Sequence, residues 1–328
     1  MRSAIILVGG FGTRLHPLTL ATPKPFLRVG GVPFLNHLIL KAKEAGALEI
    51  VLASSYKAEI FQEYYGAGNE FGIPIKHAIE EQPLGTGGAI RNALKIVDEN
   101  AKTVAIFNGD VLSEHDLAKQ FLELEKSEEA IASLYLTKVV DARKYGVVTL
   151  TSDNFLLEFL EKMENPKSNI INAGCYIFKK VLNEFIVNSY DDNQVVSVER
   201  EIFPSLLSTD KKILGYLDES YWLDMGTPET LVKASADLIQ GKVSSPAFKK
   251  TSGSALIGQN CQIATAAKIF GGSDIQDEVI IEEGVIIESS IIGKGAQIAA
   301  GAQIINSVVN FGVRVPKSMI LINNFYGF

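Results

Sequence analysis

The sequence has few of the residues that crosslink chains or bind metals. In 328 residues there are two cysteines, Cys175 and Cys261, and four histidines. Two cysteines make no disulfide framework, and neither stands in the spacing of a metal-binding motif. A reducing compartment is the simplest setting for such a chain, so we expect a cytoplasmic protein.

Long apolar runs and an excess of positive charge are also missing. The opening MRSAIILVGG has an apolar run of about five residues, which is too short for a signal peptide, and no later run approaches the ~18 of a membrane helix. The formal net charge of −7 is opposite in sign to that of a general nucleic-acid or anionic-membrane binder. We therefore expect neither partner, and we expect the cations that serve an anionic ligand to be few and local.

What the chain does contain, over roughly its first 240 residues, is an alternation of apolar runs and helical patterns. SAIILV, EIVLAS and TVAIFNGD are typical of buried strands, and FLNHLILKAKEAG and TGGAIRNALKIV of helices. This alternation predicts an α/β fold with a mostly parallel, Rossmann-like sheet covered on both faces. From about Glu128, AIASLYLTKV, YGVVTLT and NFLLEFLEK follow with little helix between them, which predicts an antiparallel or mixed extension of the sheet.

Near the C-terminus, aliphatic residues recur every six positions, with two five-residue steps. The positions are Ile257, Ile263, Ile269, Ile275, Ile281, Ile287, Ile292, Ile298, Ile304, Val309, Val315 and Leu321. No α-helix has this period, whereas a hexapeptide repeat is typical of a left-handed parallel β-helix, here of about three to four coils. An isoleucine-rich β segment without coils is the alternative. We predict an α/β domain at 1–243, a linker at 244–254 (SSPAFKKTSGS) and a β-helix at 255–328.

The first predicted strand runs directly into a glycine-rich loop, GGFGTRL. It lies at the carboxyl end of the strand, where open α/β sheets bind ligands. Gly9, Gly10 and Gly12 can reach positive φ, and their amides can surround phosphate oxygens. The spacing is neither that of GxGxxG nor that of a P-loop, so a tight turn without a ligand is the alternative.

Two cations follow the glycines. Arg14 offers a planar guanidinium suited to phosphate. Lys24 stands between Pro23 and Pro25, which predicts an extended Lys24 whose ammonium is held in place. A solvated surface lysine needs no such bracket, so we predict that the loop and both cations bind a polyphosphate.

The stretch LVGGFGTRLHPLT followed by PKPFL resembles the signature of the sugar-1-phosphate nucleotidyltransferases. The resemblance implies the nucleotidyltransferase fold and a loop that wraps the triphosphate of an NTP. It implies catalytic roles for Arg14, in pyrophosphate departure, and for Lys24, in phosphate contact. The loop residues that it assigns to nucleotide binding are Val8, Gly9, Gly10, Gly12, Thr13 and Arg14.

A second glycine-rich segment is EEQPLGTGGAIRNAL. Its glycines can let a flat ligand approach the backbone, and the amide of Gln82 can pair with a base edge. A helix start with loosely packed glycines is the alternative. The family holds the nucleobase here, so the resemblance assigns Gln82, Gly85, Thr86 and Gly87 to nucleotide binding.

Two aspartates complete the predicted site. Asp110 ends a strand in FNGDVL, and Asp224 lies in YWLDMGTPE. A lone aspartate at a strand end is often a helix cap, but Mg²⁺ prefers one or two carboxylates together with phosphate oxygens. The resemblance implies that both aspartates bind Mg²⁺ and that Asp110 is catalytic.

Three further segments, YGVV, FLEKMENP and INAGCYIF, resemble the sugar-phosphate side of the family's site. They assign sugar-phosphate binding to Gly146, Glu161, Lys162, Asn172 and Gly174. Met163 stands where many members have proline, so the loop after Lys162 can differ.

The implied reaction transfers a nucleotidyl group from an NTP to a sugar 1-phosphate and releases pyrophosphate. The motif set is most similar to that of members that make GDP-mannose from GTP; members that join thymidylyl, uridylyl or adenylyl groups to glucose 1-phosphate share much of it. A non-catalytic nucleotide-sugar sensor and a hexapeptide acyltransferase are the alternatives. The intact Arg14, Lys24, Asp110 and Asp224 disfavour the sensor, and the lack of any histidine after His115 disfavours the acyltransferase. We also expect a homo-oligomer, a dimer or higher.

Overall fold

The computed structural model describes residues 1–20, 22–55, 57–209, 211–249 and 253–328. Contacts divide the chain into two compact units. The first unit contains Met1–Gly10, Leu38–Val111 and His115–Trp222, and the second contains Phe11–His37, Leu112–Glu114 and Leu223–Phe328. The predicted domain boundaries at 243 and 254 stay a prediction, and residues 250–252 of the predicted linker lie outside the described residues. None of the helices in the described part of the chain has the length and apolar character needed to cross a membrane.

The strands before the β-helix are short and mostly buried. In chain order they are β1 (Arg2–Leu7), β2 (Arg28–Val29), β3 (Val32–Pro33), β4 (Ala47–Ser54), β5 (Ile75–Ile79), β6 (Thr103–Asn108), β7 (Val111–Ser113), β8 (Ala130–Lys138), β9 (Gly146–Leu150), β10 (Leu156–Glu161), β11 (Ile170–Lys179), β12 (Lys212–Leu217) and β13 (Trp222–Asp224). The helices are α1 (Phe34–Glu44), α2 (Ala58–Tyr65), α3 (Gly85–Leu94), α4 (Leu117–Lys126), α5 (Lys180–Ser189), α6 (Phe203–Leu207) and α7 (Pro228–Ile239).

The first unit is built on one mixed sheet, to which nine of the described strands belong. β6, β1, β4 and β5 pair in parallel in that order. β11 runs antiparallel to β6 on the other side, and β8 and β9 pair antiparallel with β11. The sheet ends with β10 beside β9 and β12 beside β8. This topology confirms the predicted parallel sheet with a mixed extension after Glu128.

The core of the first unit lies where helices α3, α5 and α6 cover the sheet. Ile5, Ile106, Tyr176 and Phe203 are completely buried there. The apolar runs that predicted β1 and β6 are uninterrupted because a parallel sheet is covered on both faces. The carboxyl ends of β1 and β6 meet in register, with Leu7 opposite Asn108, so the loops after both strands start at one edge.

The second unit contains the repeat region. Its strands are β14 (Ala255–Ile257), β15 (Gln262–Ile263), β16 (Lys268–Phe270), β17 (Ser273–Ile275), β18 (Ile280–Ile281), β19 (Ile286–Glu288), β20 (Ile291–Ile292), β21 (Gln297–Ile298), β22 (Gln303–Ile305), β23 (Val308–Val309), β24 (Arg314–Val315), β25 (Ile320–Ile322) and β26 (Phe325–Tyr326). They form three parallel sheets, each built from every third strand. This arrangement confirms the predicted parallel β-helix; its left-handed sense stays a prediction.

The pairing register explains the two five-residue steps in the repeat. Ile257 pairs with Ile275, 18 positions later, whereas Ile275 pairs with Ile292, 17 positions later. A full coil has three faces of six residues each. A coil that is one residue shorter at a corner still places its aliphatic residue in the same stack. The later stacked residues, such as Ile298 and Ile304, are completely buried. In the first coil Ile257 and Ile263 remain 45% and 38% exposed, because no earlier described coil covers them.

A β-hairpin in the second unit is held against both α7 and the β-helix. β2 and β3 are joined by Gly30 and Gly31, both at positive φ. The Gly30 amide donates to Ser235 Oγ on α7 (3.0 Å), and the Gly31 amide donates to Asp274 Oδ2 on β17 (3.1 Å). Burial raises the pKa of Asp274 to about 6, against the opposing effects of Arg28 and the Gly31 hydrogen bond.

Candidate functional site

The glycine-rich loop begins in the first unit, at the carboxyl end of β1. Val8 is buried and continues the strand pairing through a hydrogen bond from its amide to Ala53 O (2.9 Å). The carbonyl of Gly9 accepts from Ser55 Oγ (3.1 Å), and Gly10 is exposed. The loop therefore leaves the sheet at the edge where ligands bind in open α/β folds.

In the second unit the loop turns sharply at Gly12. Its φ of 63° lies in the left-handed region, and a Cβ there would be 3.0 Å from Thr19 Cγ2, so only glycine fits without strain. The Gly12 carbonyl accepts from Thr19 Oγ1 (2.8 Å) and from the Leu15 amide (2.9 Å). A 3₁₀ turn over Thr13–Leu15 follows, on which Thr13 and Arg14 are exposed. The turn thus presents the predicted arginine to solvent on a fixed backbone.

The prediction that Lys24 is extended is wrong. Lys24 begins a 3₁₀ turn over Lys24–Phe26, in which the Phe26 amide donates to Pro23 O (2.9 Å). Pro23 is the residue before the turn and Pro25 lies inside its first positions, where a missing amide proton costs nothing. The prolines still restrict the backbone around Lys24. The same unit brings Lys24 beside the loop, since a Cβ on Gly12 would be 3.2 Å from Lys24 Cβ.

The second unit also brings Arg14 to the segment that follows Asp224. A Cβ on Gly226 would lie 2.8 Å from Arg14 Nη1 and 2.9 Å from its Cζ, so the guanidinium lies directly against this backbone. Asp224, half-buried at the end of β13, is two residues earlier. The structure therefore collects Gly12, Arg14, Lys24 and the Asp224 segment within one unit.

In the first unit, Asp110 follows β6 by two residues and is half-buried. The neighbouring strand β11 passes close to this turn at Gly174, whose φ is 83°. A Cβ on Gly174 would be 3.0 Å from Val111 Cγ2 and 3.2 Å from Asn108 Nδ2. The predicted sugar-side glycine therefore packs against the residues that flank the predicted metal-binding carboxylate.

The donor set limits which metal the predicted site can hold. Among the described residues there is no group of three or more His, Cys, Asp and Glu side chains that could bind a metal ion. A cation that is completed by phosphate oxygens needs only one or two carboxylates, and this is the ligation that Mg²⁺ uses. The half-buried Asp110 and Asp224 fit that requirement chemically, and their joint role stays a prediction.

The predicted sugar-phosphate residues of β9 and β10 lie side by side. Gly146 is opposite Glu161 in the β9–β10 pairing. Lys162 has a φ of 54°; its Nζ is 3.3 Å from Glu161 Oε1, and its amide donates to Tyr145 O (3.1 Å). Burial raises the pKa of Glu161, the charge of Lys162 opposes this shift, and the negative charge of Glu199 adds to it. Glu161 therefore forms a partly buried acceptor next to a cation.

The glycines of α3 have a structural explanation that differs from our interpretation. We expected Gly85, Gly87 and Gly88 to admit a flat ligand. In the structure the chain itself occupies this space, because a Cβ would lie 2.6 Å from Val196 O at Gly85 and 2.9 Å from Val196 Cγ1 at Gly87. The Gly87 amide donates to Val196 O (2.8 Å). Their nucleotide contacts stay a prediction.

The segment 191–199, which we call the strap, is the part of this region that sequence reasoning missed. It runs along α3, with the Val196 amide donating to Leu84 O (2.9 Å) and the buried Arg91 donating to the carbonyls of Asp192 and Gln194. Its last residue, Glu199, binds Thr86 Oγ1 (2.7 Å). No pattern in the sequence links positions 113 residues apart, so no local signal could have predicted this contact. Gln82, the other predicted base contact, is exposed before α3.

This fold and these residues define a class of protein. Residues 3–241 match the nucleotidyl transferase family, and the chain belongs to that family.

Two relatives and one solved structure are similar to this chain over most of its length. The chain is 44% identical over 271 residues to a mannose-1-phosphate guanylyltransferase of Mycobacterium tuberculosis, over 82% of this chain and 74% of that protein. It is 35% identical over 276 residues to a mannose-1-phosphate guanyltransferase of Pichia angusta, over 82% of this chain and 73% of that protein. The crystal structure of HddC from Yersinia pseudotuberculosis complexed with GMP-PN is 31% identical, with a TM-score of 0.59, over 72% of this chain and 98% of that one.

Proposed function

We propose that this chain transfers a guanylyl group from GTP to mannose 1-phosphate, which forms GDP-mannose and releases pyrophosphate. The observation that carries the proposal is the 44% identity to a mannose-1-phosphate guanylyltransferase over 82% of the chain. The likeness to HddC, which was crystallised with a guanine nucleotide analogue, supports guanine as the base.

In the proposed reaction a phosphate oxygen of mannose 1-phosphate attacks the α-phosphorus of GTP. A new P–O bond forms as the bond from the α-phosphorus to the bridging oxygen of the β-phosphate breaks, and pyrophosphate leaves with that electron pair. The attacking oxygen is already anionic, so no side chain has to remove a proton. Catalysis then rests on orientation and on neutralising charge.

The chain's own residues supply these effects. The exposed Arg14 and the half-buried Lys24, which flank Gly12 in one unit, would neutralise the β- and γ-phosphates as pyrophosphate departs. The loop amides around Gly9 and Gly10 would bind phosphate oxygens. Asn172 and Glu161 would bind hydroxyl groups of the sugar, and Lys162 its phosphate. Asp110 and Asp224 would hold Mg²⁺, which when bound supplies further positive charge to the phosphates.

The experiment is a matrix of GTP, ATP, UTP and dTTP against mannose 1-phosphate and glucose 1-phosphate, with pyrophosphate release as the readout, with and without Mg²⁺. We expect the highest kcat/KM for GTP with mannose 1-phosphate, and loss of turnover when Mg²⁺ is chelated. A preference for dTTP, UTP or ATP with glucose 1-phosphate would overturn the assigned substrates. Absence of turnover with every pair would favour a non-catalytic sensor.

A further inference from the structure

A chain of side-chain hydrogen bonds connects a predicted nucleotide-binding residue to a predicted sugar-binding residue. Thr86 Oγ1 donates to Glu199 Oε2 (2.7 Å), which also accepts from Ser197 Oγ (3.0 Å). The other carboxylate oxygen, Oε1, accepts from the Tyr176 phenol (3.2 Å), whose oxygen accepts from Asn172 Nδ2 (3.0 Å). Glu199 is the residue that joins the two halves of this hydrogen-bond chain, and the proposed chemistry gives it no role.

On the sugar side, the direction of each hydrogen bond is fixed. Tyr176 is completely buried, and burial, followed by the charge of Glu199, raises its pKa well above the ordinary value, so the phenol stays protonated. Its single proton goes to Glu199, which leaves the phenol oxygen to accept from Asn172 Nδ2. Asn172 Oδ1 then accepts from the Gly174 amide (3.1 Å). The orientation of the Asn172 amide therefore depends on a carboxylate that it does not touch.

On the nucleotide side, Glu199 fixes the start of α3. Thr86 is the second residue of that helix, and its hydroxyl accepts from the Val198 amide (3.0 Å) while it donates to Glu199. The hydroxyl proton thus has one defined acceptor. A hydrogen bond to a charged group stabilises its geometry by about 1.5–3 kcal/mol, more than a neutral one does.

We propose that Glu199 is a positioning residue that couples the nucleotide side of the site to the sugar-phosphate side. One carboxylate oxygen orients Thr86 at the start of α3, and the other orients Asn172 through Tyr176. The loss of this one carboxylate releases both sides at once, although the two sides lie on separate elements. The inference rests on the proposed function for the identity of the two ligands.

The test compares four variants with the wild type by their KM values for GTP and mannose 1-phosphate. In Glu199→Ala we expect both KM values to rise about tenfold, because a charge-assisted hydrogen bond is lost on each side. Tyr176→Phe should raise the KM for mannose 1-phosphate alone. Glu199→Gln should recover part of one loss only, since its amide keeps a single acceptor oxygen. Glu184→Ala, which removes an exposed carboxylate from α5, is the control and should leave both KM values within twofold.

Two kinetic outcomes would overturn the coupling. Unchanged KM values in Glu199→Ala would show that the carboxylate positions neither side. A rise in only one KM would show that Glu199 serves that side alone. If the wild-type protein prefers another substrate pair, the assigned substrates are wrong, but the comparison is made with that pair and the same outcomes decide it.

A second measurement needs no turnover and remains valid if Glu199→Ala does not fold. Urea unfolding of Thr86→Val, Tyr176→Phe and the double variant shows whether the two changes are additive. The two side chains share Glu199 as their common partner, so we expect the midpoint shift of the double variant to differ from the sum of the single shifts. Where Glu199→Ala folds, the same pair of changes should become additive in that background. Additive shifts in the presence of Glu199 would overturn the proposal.

Discussion

The β-helix and the mixed sheet differ in how far apart in the sequence their contacting residues lie. In the β-helix each stacked residue meets a partner 17 or 18 positions away, as Ile257 meets Ile275 and Ile275 meets Ile292. In the sheet unit the decisive contacts are remote, such as Thr86 with Glu199 across 113 residues. The β-helix has regular aliphatic residues and no assigned chemistry, whereas the carboxyl edge of the sheet has irregular polar residues to which the chemistry is assigned. Stability and activity should therefore respond to different substitutions.

The largest effect is expected at the carboxyl edge. Asp110→Ala should lower kcat/KM about a thousandfold, because it removes one of the two carboxylates proposed to bind Mg²⁺ beside the reacting phosphates. Its melting temperature should stay near that of the wild type, since Asp110 is only half-buried. Initial rates of pyrophosphate release and a thermal melt measure the two. The exposed Asp153→Ala is the control, and full activity in Asp110→Ala would remove the proposed metal site.

In the β-helix we expect the opposite result, a loss of stability without a loss of activity. Ile298 is completely buried, so Ile298→Ala should lower the free energy of unfolding by about 2–5 kcal/mol through the cavity that it leaves. Ile320 is 61% exposed on the same β-helix, and Ile320→Ala should change the free energy by less than about 0.5 kcal/mol. Urea unfolding distinguishes them, and kcat of the folded Ile298→Ala should be unchanged. Equal losses in both variants would contradict the stacked core.

The buried Asp274 predicts a pH dependence of stability. Its pKa of about 6 in the folded protein exceeds the value of 3.8 for an unburied aspartate. The folded state therefore binds the proton more tightly than the unfolded state does. The contribution of this proton to the free energy of unfolding is fully present below pH 4 and is lost as the pH rises through 6. Asp274→Asn stays neutral, so relative to the wild type it should gain up to about 3 kcal/mol between pH 4 and pH 7. Urea unfolding across this range measures the difference, and a constant difference would contradict it.

Arg14 tests whether the charge on the glycine loop acts on the reaction. Arg14→Ala should lower kcat about a hundredfold and leave the KM for mannose 1-phosphate within twofold, because we propose that its charge acts on the departing pyrophosphate. Steady-state kinetics with both substrates varied provides the measurement. Arg314→Ala removes an exposed arginine from the β-helix and serves as the control. A change confined to KM would show that Arg14 only binds the ground state.

The smallest effect is expected where the strap crosses α3. Gly87→Ala should destabilise the protein by about 1 kcal/mol, because the new Cβ would lie 2.9 Å from Val196 Cγ1 and the better helix propensity of alanine offsets part of that cost. At Gly10, where nothing lies within 4 Å of a Cβ, the same change should alter the free energy of unfolding by less than about 0.5 kcal/mol. Equal effects would show that the strap shifts to make room for the new Cβ at residue 87.

The sequence predicted most of the β-helix, since a six-residue period is a local property that needs no knowledge of distant residues. It also predicted β1, β4 and β6 because a doubly covered strand is apolar throughout. The hairpin of β2 and β3 was missed, although two glycines between valines in VGGV are a hairpin signal that could have found it. The short strand β12 was missed as well, because glycine interrupts its apolar run.

The candidate site was predictable only where a residue's neighbours in sequence are also its neighbours in space. The turn at Gly12 and the position of Arg14 after it follow from local chemistry. The conformation of Lys24 was predicted wrongly, because the restriction that Pro25 imposes was given more weight than the turn that Pro23 initiates. Glu199 and Tyr176 could not be predicted, since their importance arises from hydrogen bonds between elements that only the fold brings together.

The regular register of the β-helix means that it can be lengthened by adding coils along its axis. Each coil presents to the next the same row of amide protons and carbonyl oxygens that it receives from the one before, as Ile291 does between Asp274 and Val308. A duplicate of residues 291–307 inserted after Ser307 would find a complete template on both sides, and it would move the C-terminal residues outward by about 4.8 Å. The length of the β-helix is therefore set by the number of its coils and can be changed in steps of one coil.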